Sequence, residues 1–283
     1  MENVYLRIRS HKAILQMTVV NKRGIYDAEK VQIISDGSLD LSQELTKEKD
    51  IEVVPFYVSF DSETYQKEMV EVGVREFYQE MVDHPTVFPK TSMPSVHDYY
   101  EVFEKHAKEK MPVICICITR KFSGSLQSAT TAKDMILEEY PDAQITVIDS
   151  TVNTVLQGLY VLEACRLRDM GLEYQQIVDA LLPIRETGRI FFTIGSIDYF
   201  KTWRKDWKIS RDCSQCIKNQ PLITLKEGEI FNSGITRNRL KSMKKVVDMT
   251  REYLDEVNAK PGEYSFCIGY GYDYNEALEF ERC

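Results

Sequence analysis

The chain has 283 residues, a formal charge of -8 and a pI near 5.2. It is long enough for two domains whose cores need neither disulfide nor metal, and it lacks the basic stripe that broad nucleic-acid binding requires. Seven cysteines, an odd number with Cys115, Cys117 and Cys267 on apolar runs, predict reduced thiols rather than a secreted disulfide framework.

No apolar run approaches membrane-spanning length, and the segment before Asn21 is interrupted by His11, Lys12 and Gln16, so a cytoplasmic protein is expected. Residues 1–30, with a short strand over 14–20, read as an N-terminal extension. From Val31 the element types alternate: a strand over 31–35, a polar helix around 42–49 capped by Asp40 or Ser42, and a strand over 52–60. That order predicts a parallel sheet. Asp36-Gly37-Ser38 follows the first strand, and Asp36 is assigned to an Asx-type turn. Val74, Phe77, Tyr78 and Met81 recur at i, i+3, i+4 and i+7, which gives a surface helix whose apolar face either covers a pocket mouth or simply packs.

Lys90-Thr91-Ser92-Met93-Pro94-Ser95 is a hydroxyl-rich turn, with Ser95 and Asp98 at the N-cap and N3 positions of a helix carrying Tyr99, Val102, Phe103 and His106. A buried strand over 112–118 comes next, then Thr-Arg-Lys-Phe-Ser-Gly-Ser at 119–125, then a helix with Leu126, Ala129, Ala132, Ile136 and Tyr140 on one face. Unpaired amides at that helix start, the helix dipole, the bare backbone of Gly124 and the hydroxyls of Ser123 and Ser125 together favour an anion. The plainer alternative is that Ser123 or Ser125 only caps the helix. A strand over 144–148 ends at Asp149-Ser150, again a turn. Asp36, Ser123 and Asp149 all follow strands and so share one rim of an open sheet, where ligands bind.

Residues 156–170 form a buried helix ending at Gly171, and Ile177, Ala180, Leu181 and Ile184 mark another, closed by Gly188. Residues 189–195 open a second domain. Segments 222–226 and 229–232 flank Glu227-Gly228 as a hairpin, and Met243, Val247, Thr250, Leu254 and Val257 trace a long helix from Leu240. Pro261-Gly262 ends it, a strand is expected over 264–270, and a last helix begins at Asn275. Cys213 and Cys216 are the one cysteine pair at metal spacing, without a second pair or nearby histidines to complete a zinc site.

Val-Pro-Phe at 54–56, Phe77-Tyr78, Thr-Ser-Met-Pro-Ser at 91–95 and Ser-Gly-Ser-Leu-Gln-Ser-Ala at 123–129 resemble the DegV-like fatty-acid-binding family. The resemblance implies a two-domain α/β fold: a parallel-sheet N-terminal domain, residues 31–187, and a smaller C-terminal α/β domain, residues 188–283. It implies a long-chain fatty acid as ligand and no cofactor or metal, with the carboxylate on Thr91 and Ser123, lined by Ser92, Gly124 and Ser125. Arg237 resembles the arginine the family carries before the long helix. A separate fatty acid kinase would be the partner that phosphorylates the exposed carboxyl, for phospholipid synthesis. Three departures stand out. Trp207-Lys208-Ile209 replaces a Gly-Gly-Arg-Ile element, residues 217–221 lengthen an Ile-Lys-Pro run, and the chain ends at Cys283 before a His-containing loop, so the C-terminal domain is expected to be truncated relative to the family.

The residues contain no adequate nucleophile and base pair, so no catalysis is expected. The alternatives are a serine hydrolase or phosphoryl-transfer enzyme using Ser123, with His97 the only histidine near either turn in sequence, and a degenerate homologue that has lost its ligand.

Overall fold

A computed structural model describes residues 30–194 and 220–282. The expected strand over 14–20, the Cys213/Cys216 pair and the segments 207–209 and 217–219 lie outside the described residues. The first half is built on a four-stranded parallel sheet of β1 (Gln32–Asp36), β2 (Ile51–Val54), β6 (Val113–Cys117) and β7 (Ile145–Asp149), in the order β2-β1-β6-β7. Side chains alternate between its faces because strand periodicity is two. Ile33, Ile114 and Ile116 enter one core with Tyr160, Val161 and Leu181, from α5 (Thr154–Asp169) and α6 (Tyr174–Ile184). Ile34, Cys115 and Cys117 enter the other with Tyr99, Phe103, Ala129 and Ile136, from α3 (Val96–Lys108) and α4 (Ser125–Glu139). Full burial on both faces explains the uninterrupted apolar runs of these strands, each such side chain contributing about 1.5–3 kcal/mol.

The strand order fixes where a crevice forms. From β1 the chain moves through α1 (Gln43–Glu48) to β2 on one side, then crosses to β6 on the other. The reversal sits between β1 and β6, beyond their carboxyl ends. Ser42 caps α1, its hydroxyl accepting from the Leu45 amide at 3.2 Å, so of the two predicted caps Ser42 fills the role.

The strand expected over 52–60 is two strands in two sheets. Pro55 has no N–H to continue the ladder, so the chain leaves β2 at Val54 and re-enters as β3 (Tyr57–Ser59). There β3 pairs antiparallel with β4 (Gln66–Lys67) on one side and β5 (Lys90–Ser92) on the other, Val58 opposite Thr91 and Tyr57 opposite Ser92. Thr91 and Ser92 therefore stand on an exposed strand rather than in a turn. α2 (Val74–Asp83) is a surface helix with no buried residue.

The second half is an antiparallel sheet, β10-β9-β8, made from β8 (Ile190–Thr193), β9 (Gln220–Lys226) and β10 (Glu229–Thr236). Its small core joins Leu222 to Val246 and Met249 of α7 (Arg239–Glu256) and to Phe280 of α8 (Tyr274–Glu281). The hairpin turn Glu227-Gly228 has φ of 52° and 79°, the left-handed pair that a two-residue turn needs. The strand expected over 264–270 does not form. That segment crosses to the first half: Cys267 donates to the Val155 carbonyl at 3.7 Å, Gly269 lies against Val155, and the Tyr272 carbonyl accepts from Arg75 at 3.2 Å. No helix among the described residues is long and apolar enough to cross a membrane.

Candidate functional site

Two hydroxyl-bearing segments meet at the crevice. The loop after β6 leads through Thr119 and Ser123 to Gly124, which occupies the N-cap of α4. The strand β5 leads through Thr91 and Ser92 to Met93 and to α3. A Cβ placed on Gly124 would stand 2.5 Å from the Met93 sulfur, so the Met93 side chain lies directly over Gly124 and closes the gap between the segments. Glycine lets the Met93 side chain settle there without displacement. Thr91 and Ser92 are exposed, Ser123 and Gly124 half-buried, and Ser125 fully buried.

The Ser123 hydroxyl oxygen accepts from the Ser125 amide at 3.1 Å, which ties the turn to the first residue of the helix. The Ser125 hydroxyl points inward, donating to Asp36 Oδ2 at 2.7 Å and sharing a 2.7 Å bond with the Tyr99 hydroxyl. It supports the turn from beneath. Asp36, expected to make a turn, takes the Ser38 amide two residues on and is in addition a fully buried acceptor at the end of β1 for distant donors. It also takes the Ile118 amide at 2.9 Å and the Gln157 amide group at 2.7 Å. Burial pushes its carboxyl above the ordinary value, against the pull of the hydrogen bonds from Ser125, Ile118 and Gln157. Sequence reasoning missed the parts played by Tyr99 and Gln157, and it placed Asp36 on the rim as a turn residue without seeing its buried network. The available signal was a carboxylate directly continuing an apolar strand.

Asp149 does make its turn, accepting from the Thr151 amide at 2.9 Å. The other segment is organised by Asp98. Ser95 caps α3 and Asp98 returns the bond, the reciprocal box that the sequence predicts. Asp98 also accepts from Tyr57 at 2.9 Å and from Lys67 at 3.2 Å, fastening β3 and β4 to α3. Burial opposes its ionisation, but the donors from Ser95, Tyr57 and Lys67 outweigh burial and hold the carboxyl at about 2.

The second half reaches the same rim. Gly228, at the hairpin tip, sits so close to Thr119 that a Cβ there would lie 2.4 Å from its hydroxyl, and Lys121 pairs with Glu229 at 2.8 Å. Arg237 is exposed in the bend between β10 and α7, at the opposite end of β10 from that tip. No hydrogen bond or ion pair joins it to Thr91 or Ser123 among the described residues. His84, His97 and His106 pair with Glu80, Glu101 and Glu52 respectively, at 3.3, 3.3 and 2.7 Å. No group of metal-ligating side chains is present among the described residues.

Residues 30–282 match the model of the family described as uncharacterised protein, DegV family. A DegV domain-containing protein of Clostridium perfringens is 26% identical over 230 residues, covering 81% of this chain and 80% of the relative. A solved structure from Eubacterium ventriosum, described as a fat acid (stearic acid)-binding protein, is 42% identical with a TM-score of 0.83, covering 89% of this chain and 85% of that one. A DegV family protein from Thermus thermophilus, described by its fatty acid binding, is 26% identical with a TM-score of 0.69, covering 80% and 78%.

Proposed function

Because the chain belongs to the DegV family, we propose that it holds one long-chain fatty acid without transforming it and presents the carboxyl group to a fatty acid kinase. The head group lies on Thr91 and Ser123. Ser92 and Gly124 line it, Ser125 backs it, and Arg237 is the family-implied cation of the set. Residues 31–187 form the head-group domain and 188–283 the second domain, and the acyl tail runs between them. The proposal locates the protein in the cytoplasm, where such a kinase would meet it.

The observation that carries this reading is the seat of Met93 on Gly124, which brings the Thr91 strand against the Ser123 turn. Fatty-acid binding by relatives at 42% and 26% identity supports the ligand class. The energetics follow from the ligand's two halves. A tail of a dozen or more methylenes contributes most of the affinity at about 0.8 kcal/mol for each one buried. The carboxylate must keep hydrogen bonds as it dehydrates, since an unpaired buried charge costs several kcal/mol, and that requirement calls for convergent hydroxyls and turn amides. A hydrolytic use of Ser123 is less well supported: its oxygen accepts from the Ser125 amide, and His97 is engaged with Glu101 on the exposed side of α3.

Organic extraction of the purified protein followed by mass spectrometry tests the proposal. A long-chain acid in stoichiometric amount, or saturable uptake of added acid, is expected. Neither co-purified acid nor uptake would overturn it.

A further inference from the structure

Hydrogen-bond donors beneath the Ser123 turn can be assigned one hydrogen at a time. The Ser35 hydroxyl donates to the Ile116 carbonyl at 2.9 Å, so its oxygen is free to accept from Gln157 at 3.0 Å. The second hydrogen of the Gln157 amide then goes to Asp36 Oδ1 at 2.7 Å. The single hydroxyl hydrogen of Ser125 goes to Asp36 Oδ2 at 2.7 Å, which makes Tyr99 the donor in its 2.7 Å bond to Ser125. The Ile118 amide adds a further donor at 2.9 Å. Three of these hydrogens end on Asp36, from Ile118 just after β6, from Ser125 of α4 and from Gln157 of α5, and a fourth, from Tyr99 of α3, backs them through Ser125. An acceptor-only carboxylate satisfies this arrangement, whereas an amide there would set its own N–H groups against those donors.

The consequence reaches the surface through Ser125. With its side chain fixed inward, the Ser125 amide is aimed at the Ser123 oxygen at 3.1 Å. Ser123 thereby fills an acceptor position, and among the described residues no acceptor takes its own O–H hydrogen, which leaves it available to whatever occupies the crevice.

We propose that Asp36 is the positioning residue of the head-group corner: by holding Ser125 it orients the Ser123 hydroxyl as a donor, and so sets the preference for a carboxylate over a neutral head group without touching the ligand. The proposal rests on the fatty-acid reading above. It differs from a purely stabilising role in what it predicts for ligands of equal tail and different head.

The test is titration of stearate and of stearyl alcohol into the full chain and into Asp36→Asn, Ser125→Ala and Ser123→Ala variants, with thermal melting of each. The wild type is expected to prefer the acid by at least about tenfold, the scale of a hydrogen bond to a charged group. Asp36→Asn and Ser125→Ala should erase most of that preference, as Ser123→Ala does, while affinity for the alcohol stays within about twofold. Ser125→Ala leaves Asp36 its Ile118 and Gln157 donors, so it decides the matter if Asp36→Asn does not fold. Variants that keep the preference, or that lose acid and alcohol alike, overturn the positioning role. A wild type that binds neither ligand overturns the fatty-acid reading first, and a wild type that binds both equally overturns the proposal alone.

Discussion

Asp36 and Asp98 are the same side chain set under two neighbouring segments, and they behave in opposite ways. Asp36 is 0% exposed and surrounded by neutral donors, and burial wins: its carboxyl is pushed up. The Asp98 side chain is 10% exposed and meets an ammonium, a phenol and its own capping serine, and the donors win: its carboxyl is held at about 2. The difference teaches how the two hydroxyl segments differ. The Ser123 turn rests on an interior network with no cation, where losing any donor leaves polar atoms with no water to replace it. The Thr91 strand is fastened by a surface cluster that solvent can partly replace.

The contrast predicts a descending series of effects. Gln157→Met keeps the volume but strips Asp36 Oδ1 and Ser35 of their shared donor. A loss of about 3 kcal/mol in urea unfolding at neutral pH is expected, the upper end of the scale for buried polar atoms left without a donor, here Asp36 Oδ1 and the Ser35 oxygen together. Asp98→Asn comes next. A carboxyl at about 2 in the fold and near 3.9 unfolded contributes stability that is complete above about pH 5 and disappears as pH falls through about 2. The gap between wild type and Asp98→Asn should therefore be about 2 kcal/mol at pH 7, narrow below pH 4 and close toward pH 2. A gap independent of pH would break the comparison. Gly124→Ala should cost least, about 0.5 kcal/mol by thermal melting. Its φ of -78° suits alanine, and the new methyl meets only the flexible, 44% exposed Met93.

What was legible in the sequence follows the same division. The Ser95/Asp98 box is local, two residues three apart, and the pattern alone revealed it. Helices with a clear apolar stripe and the buried parallel strands were equally readable, because period and length carry their signal. Asp36 was read only as a turn residue because its other partners lie 82, 89 and 121 residues away, and an Asp before Gly-Ser shows locally nothing but the turn. Pro55 marks the break between β2 and β3, but the change of sheet depends on β5, a later strand. The apolar character of 264–270 is genuine, yet instead of a ladder its Cys267 and Gly269 lie against Val155, and Phe266 stays exposed. The pairing of hydroxyl segments was legible only through the family resemblance, since nothing local links Met93 to Gly124.

The break at Pro55 carries a mechanical implication. Val54 is registered opposite Asp36, and only Pro55 and Phe56 separate it from β3, with the Phe56 amide held by the Glu68 carboxylate at 3.0 Å. A joint of two residues spans about 7 Å at full stretch. The small sheet bearing Thr91 is therefore leashed to the large one at two points, the short Pro55-Phe56 joint beside Asp36 and the Asp98 bonds to Tyr57 and Lys67, so the strand that carries Thr91 is kept from drifting off the Ser123 turn.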